Sequence, residues 1–294
     1  MSERSYLRKP EWLKVRVPSG EAFADVLGVL NEYKLATVCQ EARCPNMHEC
    51  WRKKSATIMI LGKVCTRACR FCAVETGNPH GRIDREEPRH AAEAIQRLGL
   101  KYVVITSVDR DDLADLGSGQ YAETIEQITR LNPQTMVEAL VPDFAGREAL
   151  LQKIVDARPL VIGHNIETVK RLTPEVRDRR CGYDLSLNVL KTISRLGDTA
   201  HVKSGFMVGL GEDHEEIIAT LRDLKDGGVR IVTIGQYLQP TRTHHGVEKY
   251  YTPEEFKRLA TIGRELGIPH VISGPLVRSS YHAAEVFSLH TLTR

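Results

Sequence analysis

No stretch of this 294-residue sequence approaches the roughly 18 uninterrupted apolar residues that a membrane span needs. Its opening segment, "MSERSYLRKPEWLKVRVPSG", lacks the apolar core of a secretion signal. Both absences lead us to expect a cytoplasmic protein with no membrane partner. An excess of one charge is missing too. The 41 Lys and Arg face 38 Asp and Glu, a net charge of +3, so nothing in the totals calls for nucleic acid. The seven cysteines are an odd number and do not make a simple set of disulfide pairs. In a reducing compartment, clustered thiols more often serve metals or catalysis. Low-complexity tracts and internal repeats are absent as well, so no linker divides the chain.

The sequence does contain a rhythm. From residue 57 short β-branched runs alternate with segments of helical period, the pattern of βα units and a mainly parallel sheet. The runs "TIMILG", "YVVITSV", "TMVEALVP", "PLVIGHNI", "VKSGFMVGL" and "VTIGQYL" predict six strands. The intervening spacing predicts helices near 89–99, 119–131, 146–157, 185–196, 213–227 and 253–266. The last opens on Thr252, Pro253, Glu254 and Glu255, an N-cap followed by proline and two acids. A full eightfold barrel usually takes about 250 residues of such units, and about 210 are available. The expectation is therefore an α/β fold, a partial (β/α)6 TIM-type barrel over 56–275 with an N-terminal extension (1–55) and a C-terminal tail (276–294).

Cysteines gather in two trios. Cys65, Cys69 and Cys72 follow the first predicted strand in C-x3-C-x2-C spacing, on the face where barrel enzymes collect their sites. That spacing is too compact for tetrahedral zinc without a ligand from elsewhere. A four-iron cluster takes four terminal ligands, so three thiolates would leave one iron open to a small molecule. Phe71 would keep such a cluster dry, and Arg67 and Arg70 would offset its charge; as plain loop residues, both arginines would be solvated. Upstream, Cys39, Cys44 and Cys50 stand in C-x4-C-x5-C spacing, again three. A second iron–sulfur cluster competes here with a zinc site in which His48 would serve as partner. Cys181 belongs to neither trio and reads as a structural or incidental thiol.

The run "CTRACRFC" resembles the signature of radical S-adenosylmethionine (SAM) enzymes. Together with the upstream trio, the resemblance narrows to the lipoyl synthases and extends almost end to end. It runs through "KPEWLKVR", "EARCPN", "MILGKVCTRACRFCAV", "ITSVDRDDL", "HNIETV", "GLGE", "TIGQYLQPT" and "GPLVRSSYHA". Within it, Leu116 stands where a second glycine often occurs and "RDRRCGYD" replaces a proline-glycine turn.

The resemblance implies an enzyme with two 4Fe-4S clusters and SAM as cofactors. One cluster would sit on Cys65, Cys69 and Cys72, the other on Cys39, Cys44, Cys50 and a serine of Arg278-Ser279-Ser280-Tyr281. Ser280 is the expected ligand and Ser279 the alternative; in isolation, either serine would read as a cap or turn. Thr106 and Ser107 would lie near the methionyl part of SAM, with Asn165 and Glu167 near its ribose.

The implied reaction inserts sulfur at the sixth and eighth carbons of a protein-bound octanoyl-lysine, with the second cluster consumed as the donor. The implied partners are an octanoylated carrier (a 2-oxoacid dehydrogenase acyltransferase subunit or the glycine cleavage H-protein) and an electron donor such as ferredoxin or flavodoxin. The rival readings are another radical SAM sulfur-inserting enzyme, a non-catalytic iron–sulfur electron-transfer protein and a structural zinc protein. Other segments stay open: Asp109, Arg110, Asp111 and Asp112 read equally as SAM contacts or surface charge, "GLGE" reads as a tight turn, Lys203 has no derivable role, and the loop with His244 and His245 is either solvated or touches the carrier.

Overall fold

The computed structural model describes residues 7–14, 21–41, 44, 46–52, 55–197 and 200–280. The chain enters through α1 (Glu21–Glu32), β1 (Ala36–Thr37), α2 (Val38–Glu41) and α3 (Met47–Arg52). It then runs β2 (Ser55–Ile60), the paired short strands β3 (Val64–Cys65) and β4 (Glu75–Thr76), α4 (Glu87–Leu98), β5 (Tyr102–Ser107), α5 (Ser118–Leu131), β6 (Met136–Leu140) and α6 (Glu148–Asp156). The second half comprises β7 (Val161–Gly163), α7 (Thr173–Val176), α8 (Tyr183–Leu196), β8 (His201–Val208), α9 (His214–Asp226), β9 (Ile231–Gln236), α10 (Pro253–Glu265) and β10 (His270–Gly274).

One sheet carries the order β1-β2-β5-β6-β7-β8-β9-β10. All neighbours are parallel except β1, which lies antiparallel on the outer edge of β2. The two edge strands do not pair with each other, so the described sheet is an open, partial barrel with helices on its outside. The six predicted strands are all present, and the structure adds a seventh parallel strand, β10. That strand escapes the sequence pattern because "HVISG" is half-exposed at the sheet edge and mixes His270 and Ser273 with its apolar residues. The upstream segment also contributes more than an appendage, since Ala36 and Thr37 extend the sheet.

The core fills the space between strands and helices, with Ile58, Ile60, Val103, Ile105, Ala139, Ile162, Val208, Val232 and Ile234 buried along the strands. Because β-branched residues bury both faces of a parallel strand, the runs read as continuous rather than alternating. The Thr252 side chain accepts from Glu255 N while the Glu255 side chain accepts from Thr252 N, closing the capping box that starts α10. A second cluster joins the N-terminal segment to the barrel, with Leu30, Leu35, Cys39 and Trp51 packed on Ala91 and Ala94 of α4. Leu116 holds a left-handed backbone (φ +54°), a conformation that favours glycine. Among the described residues no helix is long and apolar enough to cross a membrane.

Candidate metal centres

The first cysteine trio hangs on a loop anchored at the carboxyl ends of several strands. Parallel register sets Ile60 of β2 opposite Ser107 of β5, and the pairing of β3 with β4 frames the loop between Cys65 and Glu75. Four neighbouring segments clamp it. After β5, Asp109 O accepts from Thr66 N (3.0 Å) and from Thr66 Oγ1 (3.0 Å). Beyond β7, Val176 O accepts from Arg70 N (2.8 Å), and Asp178 Oδ2 accepts from Ala68 N (2.9 Å). From the loop after β9, His245 N donates to Arg70 O (2.9 Å) and His244 Nε2 lies 2.9 Å from Cys72 O. The fourth clamp is Arg67.

Arg67 departs from expectation. Instead of lying free to offset a cluster's charge, its side chain is 4% exposed and its charge is met by three carboxylates. Nη1 and Nη2 donate to Asp143 at 2.5 and 2.9 Å, while Nε and Nη2 donate to Asp111 at 3.0 and 2.9 Å; Asp109 lies 3.4 Å away. A planar guanidinium has the fork geometry for two such carboxylates. Arg70 is exposed and keeps its charge outward. The surface-charge reading of this run does not hold for two of its members: Asp111 belongs to this internal staple, and Arg110 is 2% exposed with bonds to Leu61 O, Arg82 O and both oxygens of Asp112.

Backbone amides point at the sulfurs. Asp109 N and Arg67 N lie 3.3 and 3.5 Å from Cys65 Sγ, and Asp178 N lies 3.3 Å from Cys69 Sγ. Burial, helped by the Asp109 carboxylate, pushes the Cys65 thiol up to about 12. Burial also raises Cys72. Such thiols stay protonated until a metal displaces the proton. Cys181 is not incidental. Its thiol meets that of Cys69, and Arg67 Nη1 donates to its sulfur at 3.4 Å. The hydrogen bond from Cys69, with Arg177 and Arg67 alongside, lowers Cys181 to about 7, and the same bond raises Cys69. Sequence spacing could not find this contact, because two loops more than a hundred residues apart make it.

The residues expected near SAM lie at the same strand ends. Thr106 Oγ1 is committed to Leu140 O (3.1 Å), whereas Ser107 Oγ is buried without a partner among the described residues. Glu167 takes a left-handed backbone (φ +68°), its carboxyl is raised by burial and accepts from Asn165, and its charge is felt at Cys72. A non-glycine residue held at positive φ costs on the order of 1 kcal/mol and marks a site fixed by its surroundings. "GLGE" is a closed turn, since Glu212 accepts from Gly209 N (2.6 Å) and Leu210 N (2.9 Å) and so occupies the amides a phosphate would use. Lys203 forms a buried pair with Glu138, 2.8 and 2.9 Å to its two oxygens, and Tyr102 also donates to that carboxylate.

The second trio lines a small pocket with Asn46, Ser55, Ala56, Thr57, Arg278 and Ser280. Cys39 comes from α2, Cys50 from α3 and Cys44 from the turn between them, where Cys44 N donates to Cys39 O (2.9 Å). Asn46 Nδ2 donates to Leu276 O at 2.6 Å and fastens the segment after β10 to the cysteine hairpin. That brings Ser280, and not Ser279, to the pocket wall. Burial pushes Cys39 up to about 11 and raises Cys44. Arg278 is half-buried, its charge is felt at Cys44, and desolvation lowers its own pKa.

Three soft sulfurs, the hydroxyl residues Ser55, Thr57 and Ser280, and a half-buried cation, with no carboxylate or imidazole among the described lining, fit an anionic iron–sulfur group. The His48 side chain and Tyr281 lie outside the described residues.

The comparisons agree with this geometry. The model of the radical SAM superfamily matches residues 59–224, and that of the N-terminal domain of lipoyl synthase matches residues 1–44. Lipoyl synthase of Halorhodospira halophila is 52% identical over 95% of this chain and 84% of its own length. That of Francisella tularensis subsp. novicida is 50% identical over 98% of this chain and 88% of its own length. Among solved structures, methylornithine synthase (TM-score 0.54, 14% identity, 89% of this chain and 81% of that one) shares the fold. So does the FeFe-hydrogenase maturase HydG of Carboxydothermus hydrogenoformans (TM-score 0.56, 13% identity, 91% and 77%). A cysteine loop held at the strand ends of a partial barrel, a second trio facing Ser280, and half-identity across nearly the whole length lead to one conclusion: the chain belongs to the lipoyl synthase family of the radical SAM superfamily.

Proposed function

We propose that this chain inserts two sulfur atoms, at the sixth and eighth carbons, into an octanoyl group carried on a lysine of another protein. The carrier is a lipoyl domain such as that of a 2-oxoacid dehydrogenase acyltransferase or the glycine cleavage H-protein, and a ferredoxin or flavodoxin delivers electrons in the cytoplasm. Residues 56–275 form the radical-generating barrel, 1–55 bring the second set of cysteines and 276–294 close it. Cys65, Cys69 and Cys72 hold one 4Fe-4S cluster, and Cys39, Cys44, Cys50 and Ser280 hold another. When bound, the first cluster with SAM supplies a 5'-deoxyadenosyl radical able to take hydrogen from an unactivated carbon, and the second supplies sulfide.

The chain's own residues make that chemistry directed. Arg67, Asp111 and Asp143 lock the cysteine loop, so its backbone is held in a fixed frame at the strand ends. Ser107, with its unpartnered hydroxyl, and the Asn165–Glu167 pair offer hydrogen bonds to a polar cofactor at the strand ends. Arg278 offers a half-buried positive charge to an anionic cluster beside Ser280. A serine oxygen holds iron less well than a thiolate, which suits a cluster that must open.

The observation that carries this reading is the pocket itself, in which Ser280 meets three cysteines from the other end of the chain. The test is anaerobic reconstitution followed by reductant, SAM and an octanoyl-lysine peptide. Product carrying two added sulfurs, with two 5'-deoxyadenosines formed per product, is expected. Release of 5'-deoxyadenosine with no sulfur on the peptide would leave a radical SAM enzyme of another kind. No release would favour an electron-transfer protein.

A further inference from the structure

Trp51 is a buried polar side chain that the reaction as described leaves unused. It follows Cys50 on α3 and is 2% exposed. Its ring stacks on Phe23 at 4.9 Å between centroids and 21° between planes, which fixes the direction of the indole edge. It packs in the apolar cluster that contains Cys39, with Cys44 and Cys50 at the border. Nε1 is enclosed and makes no hydrogen bond among the described residues. An enclosed N–H without an acceptor costs about 1–3 kcal/mol, and a phenylalanine would fill similar space without that cost.

The nearby acceptor is sulfur. Trp51 and Cys39 share one buried cluster, and the indole N–H favours the Cys39 thiolate against the opposing effect of burial. A metal-bound thiolate is a far better acceptor than a thiol, because its sulfur carries charge. Hydrogen bonds to ligand sulfurs withdraw electron density from an iron–sulfur cluster and raise its reduction potential.

We infer that the Trp51 N–H donates a hydrogen bond to the Cys39 sulfur of the second cluster and so sets that cluster's reduction potential. The inference rests on the two-cluster reading. Trp51 is a positioning and tuning residue here, acting on iron through the thiolate it faces.

The test isolates the second cluster by Cys65→Ser, Cys69→Ser and Cys72→Ser together. Trp12→Phe then removes the only other tryptophan, so growth on β-(3-benzothienyl)alanine replaces Trp51 alone with a ring of the same shape that has sulfur in place of N–H. Iron and sulfide content, the midpoint potential and the Fe–S stretching frequencies are read anaerobically. The expected result is unchanged content, a more negative potential and Fe–S(Cys) stretches moved to higher frequency, with Trp51→Phe shifting both in the same direction. Unchanged potential and frequencies at full iron content would overturn the inference and leave the cluster assignment standing. If the tryptophan-containing parent binds no iron at this site, both fall together.

Discussion

Replacing Arg67 by alanine leaves Asp111 with Arg180 at 3.2 Å, but strips Asp143, whose side chain is 1% exposed, of its ion-pair partner among the described residues. Breaking a buried pair in this way costs about 3–5 kcal/mol, against 0–1 kcal/mol for an exposed one. The larger figure applies because Arg67 is 4% exposed and all four of its closest contacts are hydrogen bonds rather than loose ion pairs. For a chain of this size the loss corresponds to roughly 5–8 °C in Tm.

The assay is urea and thermal unfolding of the metal-free, reduced protein, where no cluster contributes. Arg67→Lys should recover part of the loss, since one ammonium cannot serve two carboxylates with a fork. Combining Arg67→Ala with Asp143→Asn should cost less than the sum of the single changes, because the second removes the charge that the first strands. A loss within about 1 kcal/mol of zero for Arg67→Ala would refute the reasoning, because the staple would then behave as a surface pair.

Further outcomes follow from the same geometry. Ser280→Ala should keep 5'-deoxyadenosine formation and lose most sulfur insertion, with one iron of the second cluster more easily removed by chelator; normal product formation would remove Ser280 from the ligand set. Gly235→Ala places a Cβ against Val277 O, so the segment carrying Arg278 and Ser280 must shift, and iron and sulfide should fall by about half while SAM cleavage persists. Asn46→Ala deletes the bond to Leu276 O and should cost about 1 kcal/mol of stability, together with faster loss of second-cluster iron. Asp112 is held down at about 2 by its hydrogen bond with Arg110. Its contribution is therefore present above the unfolded carboxylate value of roughly 4 and lost as pH falls toward 2, so Asp112→Asn should flatten the fall in Tm between pH 5 and pH 3.

The sequence carried the barrel because its signals are local. Helical period and caps located the helices; the expected helix at 253–266, for instance, is α10 at Pro253–Glu265. β10 was hidden because an edge strand needs no continuous apolar run, and "HVISG" offers none. Both trios stood out through cysteine spacing, yet spacing says nothing of what closes on them. Ser280 came from resemblance alone, since a serine in a turn has no chemical signature of its own. The partners of Arg67 lie 44 and 76 residues away; Asp111 read equally as a SAM contact or surface charge, and nothing local marked Asp143 until the strand ends brought both inward. Which role Cys181 takes, structural or incidental, was hidden for the same reason: its neighbour Cys69 belongs to another loop, and Arg67 bonds across 114 residues to reach it.

The most direct test counts iron and acid-labile sulfide per chain after anaerobic reconstitution of three proteins. These are the unaltered chain, the chain with Cys39, Cys44 and Cys50 changed to alanine, and the chain with Cys65, Cys69 and Cys72 changed to alanine. The account predicts about eight of each in the first and about four in each of the others, with SAM altering the spectrum wherever Cys65, Cys69 and Cys72 are intact and not where they are replaced. About four in the unaltered chain, or zinc bound stoichiometrically at either trio, would contradict it.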